Sequence, residues 1–239
     1  MISGVEYLWF IEDLAEHFEE RADEIILKLK ETVHQIFNKN NLVISYTADK
    51  EGYDKLEGPL SQFVQTLSGE EVEKAVRNLK VEKKNEGLKT SAQIQYVART
   101  GNFKKDGFEY TGTLKVLENI MDYGYLWENI RVKGGAYGCM SGFTQGGNVY
   151  FCSYRDPNLC KTNEIYNGIP EFLRNFNESD RDILKYIIGT ISNLDRPKTA
   201  KGKGDTALRF YMSNIDMEMI QKERDEVLAL SNEKINQLA

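Results

Sequence analysis

Histidine is nearly missing from this chain, with two in 239 residues. A metal centre or acid–base catalyst built from imidazoles has almost nothing to draw on. His17 and His34 are 17 positions apart, which on one helix sets them roughly 100° apart around its axis. Neither belongs to a His-x-x-Glu-His helix, whose one-turn spacing lets two rings share a tetrahedral ion, so both read as helix-surface residues and no metal ligands are expected. Cysteine is scarce too. Cys139, Cys152 and Cys160 show no Cys-x-x-Cys spacing, and an odd count predicts free thiols in a reducing compartment, hence a cytoplasmic protein. Positive charge falls short of negative, 31 Lys and Arg against 37 Asp and Glu, for a net charge of −6. With only short basic runs at 80–84 and 198–203, a nucleic-acid partner is not expected. No run of about eighteen apolar residues exists, so no membrane partner is expected. Met1-Ile2-Ser3-Gly4 lacks the basic-then-apolar layout of a signal peptide. A phosphate loop, a dinucleotide glycine fingerprint and a Gly-x-Ser-x-Gly elbow are all absent.

What remains is an ordinary soluble composition, 41% hydrophobic and 28% charged, long enough for one large domain or two small ones. Apolar residues spaced by three or four from Ile11 to Ile36 predict an amphipathic helix over 11–37, interrupted near Glu20. Residues 42–48 read as a strand and 53–67 as a helix. Ser68 with Glu71 suggests a capping box opening another helix. The lysine-rich stretch 79–90 suits an exposed linker. Ala92, Ile94, Tyr96 and Ala98 alternate with a mostly polar set, which predicts a half-buried strand with those four inward. From Thr111 a helix should carry Leu114, Leu117, Ile120 and Met121 inward and end near Ile130, with a break at Gly124. Strands at about 135–143 and 148–155 should form a hairpin through Gly146-Gly147. Beyond lie helices: 161–175 restarting at Pro170, one capped by Ser179 with Ile183, Leu184, Ile187, Ile188 and Ile191 inward, and two after Asp205 and Ile215. Residues 198–204 read as a flexible loop. Strands and helices mix without a βαβ beat, so the fold class is α+β with a largely antiparallel sheet backed by helices.

The most informative stretch is Leu126-Trp127-Glu128-Asn129-Ile130-Arg131-Val132-Lys133-Gly134-Gly135-Ala136-Tyr137-Gly138. It sets one guanidinium and one phenol where the backbone is least hindered. From spacing alone it is either a helix-to-strand connection with a glycine turn or a surface that holds an extended peptide or an anion.

Together with Thr111-Gly112-Thr113-Leu114-Lys115-Val116-Leu117, residues 151–159 and Gly204-Asp205-Thr206 through Arg224, this stretch resembles the last domain of the pitrilysin/insulinase family of zinc metallopeptidases, in the presequence-protease branch. The resemblance implies a C-terminal, substrate-chamber domain over residues 21–239, with a sub-boundary at 79–90. Residues 1–20 would pack on an upstream domain outside the sequence. It also implies that zinc and the catalytic Glu belong to the N-terminal half of a longer protein, leaving no cofactor here and no activity in this chain alone. The partners implied are that N-terminal half and a peptide substrate. Carried over residue by residue, Arg131 and Tyr137 would contact the peptide near the scissile bond, with Gly134 and Gly135 shaping the loop. Six residues of strand would separate Arg131 from Tyr137 by roughly 20 Å. The chain must therefore bend at Gly134-Gly135, or Arg131 must lie on the helix end. A non-catalytic structural subunit with the same fold is the alternative.

Overall fold

A computed structural model describes residues 4–72 and 85–239. The chain forms two compact units, Met1–Lys84 with Ala200–Thr206, and Asn85–Thr199 with Ala207–Ala239.

The first unit is helical. Helices α1 (Val5–Glu16) and α2 (Phe18–Ile36) meet at His17, so the interruption comes before Glu20. At the junction His17 Nδ1 donates to the Asp13 carbonyl, while Arg21 reaches back to the Asp13 carboxylate at 2.7 Å and forward to Glu24 at 3.1 Å. Helix α3 (Lys50–Thr66) is capped by Asp49, which accepts from Gly52 N–H. Two expectations fail here. Among the described residues, 42–48 pair with no strand, since strand propensity forms a strand only where a partner completes the ladder. Ser68 opens no helix through Val72. It forms a single bridge with Asn38 instead, and its hydroxyl accepts from Glu70 N–H. Residues 79–84 of the expected linker lie outside the described residues.

In the second unit three antiparallel strands, β1 (Gln95–Asn102), β2 (Gly138–Phe143) and β3 (Asn148–Asp156), lie in the order β1-β3-β2. A turn over 144–147 closes the β2–β3 hairpin, as the paired glycines predict. One sheet face carries Val97, Phe151, Ser153, Ser141 and Phe143 toward α4 (Gly112–Ile120), α5 (Leu159–Asn167) and α6 (Ile169–Arg174), and the opposite face carries Tyr96, Met140 and Tyr150 outward. The inward set of β1 is thus the reverse of the expected one: Val97 is buried and Tyr96 is 75% exposed. The polar residue in the inward register is accommodated because Arg99 donates to Asn163 and Asn167 on α5 and its guanidinium lies over the Tyr166 ring. Polarity alone could not reveal that those partners exist.

Helix α4 buries Leu114, Leu117 and Ile120, with Met121 just beyond its end, as expected. Gly124 does not break the helical run. Wide π turns at Met121–Tyr125 and Trp127–Val132 carry it on and bury Leu126 and Ile130. Helix α7 (Asp180–Leu194) starts at the Ser179 cap, but of the expected inward set it buries only Ile183 fully, and Leu184 and Ile188 face solvent. Residues 200–204, expected as loop, open α8 (Ala200–Met212), where Thr206 Oγ1 donates to Gly202 O and Lys201 pairs with Asp205 one turn on. Helices α9 (Met217–Leu228) and α10 (Asn232–Asn236) complete the unit.

Candidate functional site

The site is built where the π-helical run gives way to β2. Lys133 N–H donates back five residues to Glu128 O, and the wide turn leaves room for a sharp exit. Ala136 N–H then donates to Ile130 O across a left-handed Gly135, φ 78°. A Cβ at Gly134 would collide with the carbonyl of Ile130, so neither glycine position tolerates a side chain without strain. The distance between Arg131 and Tyr137 along the chain is resolved accordingly: Arg131 sits on the helix end, the chain bends at the glycines, and Tyr137 precedes β2.

Arg131 lays its guanidinium on the Trp127 ring, 4.0 Å from the centroid. Its charge reaches Cys139 at the start of β2, where it opposes the burial that pushes the thiol up to about 11. Tyr137 is 59% exposed, and its ring stands 5.5 Å from that of Tyr154 on β3. Tyr154 in turn stacks on Tyr96 at 6.5 Å, so three phenols continue across the open sheet face. Arg131 and Tyr137 share no hydrogen bond or cation–ring contact. The cation over the Tyr137 ring is Arg155, at 5.4 Å. Among the described residues, neither the Arg131 guanidinium nor the Tyr137 hydroxyl has a hydrogen-bond partner.

A buried carboxylate braces this edge. Asp156 is fully buried and accepts from Ser153 Oγ at 2.6 Å, Thr162 Oγ1 at 2.7 Å and Asn158 N–H at 2.8 Å. Asn158 Nδ2 donates to Gly134 O at 2.5 Å, and Tyr137 N–H donates to Arg155 O at 3.4 Å. Thus the loop 133–137 is tied at both ends to the end of β3 and the residues after it. Sequence reasoning named Arg131, Tyr137 and the glycines but gave Arg155, Asp156 and Asn158 no role. An arginine before an Asp-Pro pair gives no local sign of a left-handed backbone.

Among the described residues, neither histidine stands in a cluster of metal-ligating side chains. His17 is engaged with Asp13, and His34 Nε2 is shared between Glu70 at 2.8 Å and Ser68 at 3.2 Å. Among the described residues no three His, Cys, Asp or Glu side chains converge. The three cysteines are free thiols, and no described helix is long and apolar enough to cross a membrane.

A family model described as PreP C-terminal domain matches residues 85–239, more than half of the chain. Protein HypA of Clostridium perfringens is 41% identical over 238 residues, covering 100% of this chain and 24% of that protein. Presequence protease 1 of Arabidopsis thaliana, a chloroplastic and mitochondrial protein, is 30% identical over 232 residues, covering 96% of this chain and 22% of its own length. The chain therefore spans about a quarter of the curated relatives it matches. Among solved structures, a protease from Helicobacter pylori superposes with a TM-score of 0.54 at 17% identity, over 80% of this chain and 49% of that one, a likeness of fold.

Proposed function

The chain belongs to the PreP C-terminal domain family of pitrilysin-type peptidases, and on that footing we propose that it is one wall of a chamber in which a longer protein degrades peptides. In this proposal the chain binds the peptide near the scissile bond and supplies no metal. The observation that carries it is the pair of exposed donors at the sheet edge that have no protein partner among the described residues, the Arg131 guanidinium and the Tyr137 hydroxyl, held by a glycine turn that admits a second backbone. A guanidinium and a phenol both suit peptide carbonyls, or negative charge developing on one. The open tyrosine face beside them offers apolar area to a bound peptide.

We further propose that α1 packs on the preceding part of the same longer protein. Leu8, Trp9 and Phe10 all lie exposed on it, Trp9 at 61%, more apolar surface than a free helix of a monomer usually shows. The compartment we propose is the cytoplasm, a choice supported by three free thiols.

In the longer protein, Arg131→Ala should lower kcat/KM by about 1.5–3 kcal/mol and Tyr137→Phe by about 0.5–1.5 kcal/mol, with zinc content and thermal stability unchanged. Steady-state peptide hydrolysis measures this. A loss in kcat marks contacts that strengthen in the transition state, and a loss in KM marks contacts that only hold the peptide. A structural role predicts lost folding stability for Arg131→Ala and no kinetic change for Tyr137→Phe, and wild-type kcat/KM in both variants would remove the site assignment.

A further inference from the structure

We propose that Arg155 is a third peptide-contacting residue and that it takes a carboxylate of the bound peptide. The proposal rests on the assignment of Arg131 and Tyr137 as peptide contacts and adds a charge preference to that site.

The backbone at Arg155 is the first ground. Arg155 has φ 48°, a left-handed conformation that a long side chain seldom adopts; Asn214, the other described non-glycine residue at positive φ, is of a type that tolerates it. The cause is a bulge in β3. Gln95 pairs with Asp156 while Val97 pairs with Ser153, so β3 holds one residue more than β1 across this interval. In regular alternation Ser153 points to the helices, Tyr154 to the open face and Arg155 back to the helices. The extra residue breaks that alternation. Asp156 takes the buried place, and Arg155 comes out over the Tyr137 ring on the open side.

The second ground is chemical. Arg155 is exposed and, among the described residues, pairs with no carboxylate. The carboxylate next to it in sequence is fully engaged by Ser153, Thr162 and Asn158. Glu128, the acid nearest along the loop, pairs with Lys133 at 3.3 Å. The contact with Tyr137 is a cation–ring contact at 5.4 Å and, among the described residues, the Arg155 N–H fork has no hydrogen-bond partner, so it remains available to the two oxygens of a carboxylate. A peptide can supply that group from an Asp or Glu side chain or from its C-terminus.

The test uses the longer protein and one fluorogenic peptide in three forms: with a Glu two residues from the scissile bond and a free C-terminus, with that Glu replaced by Gln, and with the C-terminus amidated. Arg155→Gly is the main variant, because glycine keeps the left-handed backbone while removing the guanidinium. Arg155→Lys retains charge without the fork. Arg155→Gly should raise KM for the parent peptide roughly five- to tenfold, with Arg155→Lys intermediate. It should leave KM within about twofold for whichever form lacks the recognised carboxylate, and so identify the source. Equal losses on all three peptides, or none, overturn the proposal. Arg131→Ala and Tyr137→Phe run alongside separate the two failures. If they lose activity while Arg155→Gly does not, only the role of Arg155 falls. If none of the three changes hydrolysis, the site assignment falls with it.

Discussion

The two units of this chain handle apolar residues in opposite ways. In Asn85–Thr199 with Ala207–Ala239 the hydrophobic side chains converge: Val116, Met121, Leu126, Ile130, Val227 and Ile235 have essentially no exposure. Among the described residues of Met1–Lys84 with Ala200–Thr206, the one buried side chain is polar, that of Asn38, while Leu8, Trp9, Phe10, Ile26, Leu29 and Val33 remain in solvent. Both units have good helical periodicity. The difference shows that periodicity makes helices, whereas a core also needs a second surface to close against, which the sheet provides in one unit.

That contrast predicts unequal costs for similar truncations. Leu126→Ala empties space at the junction of the two π turns and should cost about 2–5 kcal/mol. Leu8→Ala should stay within about 0.5 kcal/mol. Urea denaturation of the chain and both variants measures it. Similar losses for the two would mean that the first unit has a core after all.

A smaller effect concerns the edge where the π turns meet the sheet. Asp122 accepts from Ser141 N–H at 2.6 Å and Ser141 Oγ at 2.7 Å. Burial nevertheless pushes its carboxyl from the ordinary 3.8 up to about 6, against those two bonds. The folded chain therefore holds this proton more tightly than the unfolded chain does. Its contribution to stability is fully present below about pH 4 and is lost as pH rises through 6. Asp122→Asn removes that dependence. Discounted for partial exposure, the variant should gain about 1 kcal/mol on wild type between pH 4 and pH 7. Parallel stability curves for the two proteins would show that Asp122 does not titrate in this range.

The smallest change in stability, and the largest in behaviour, should follow removal of residues 1–19. Unfolding should shift by less than about 0.5 kcal/mol, because α1 buries nothing. Light scattering should show less self-association, because the exposed Leu8, Trp9 and Phe10 are gone. If intact and shortened chains are both monomeric and equally soluble, α1 has no partner to seek.

How much of this was legible in the sequence varied with the range of the interaction that decides it. The hairpin, the Ser179 cap and the inward positions of α4 are set by neighbours within a few residues, and they lie where spacing and turn chemistry put them. Residues 42–48 carry strand-forming side chains, yet no ladder forms among the described residues, because a strand is decided by a partner elsewhere in the chain. The face that β1 buries differs from the one its polarity predicts for the same reason: Arg99 is welcome on the helix side only because Asn163 and Asn167 wait there, more than sixty residues away. At the site, the glycine turn and its two polar residues were legible as a motif. The bulge that brings Arg155 over Tyr137 was not, since it depends on the register between β1 and β3.

The claim that joins these observations is that the open tyrosine face, and not the helical face, meets the peptide. The direct measurement is photo-crosslinking in the longer protein, with hydrolysis blocked, using a peptide that carries a benzophenone beside the scissile bond. Mass spectrometry of the digested adduct should find label on residues 127–137 and 150–155, and Tyr137→Phe with Arg131→Ala should weaken it. Label confined to α7 and α9, or an unchanged yield in the double variant, would contradict the account.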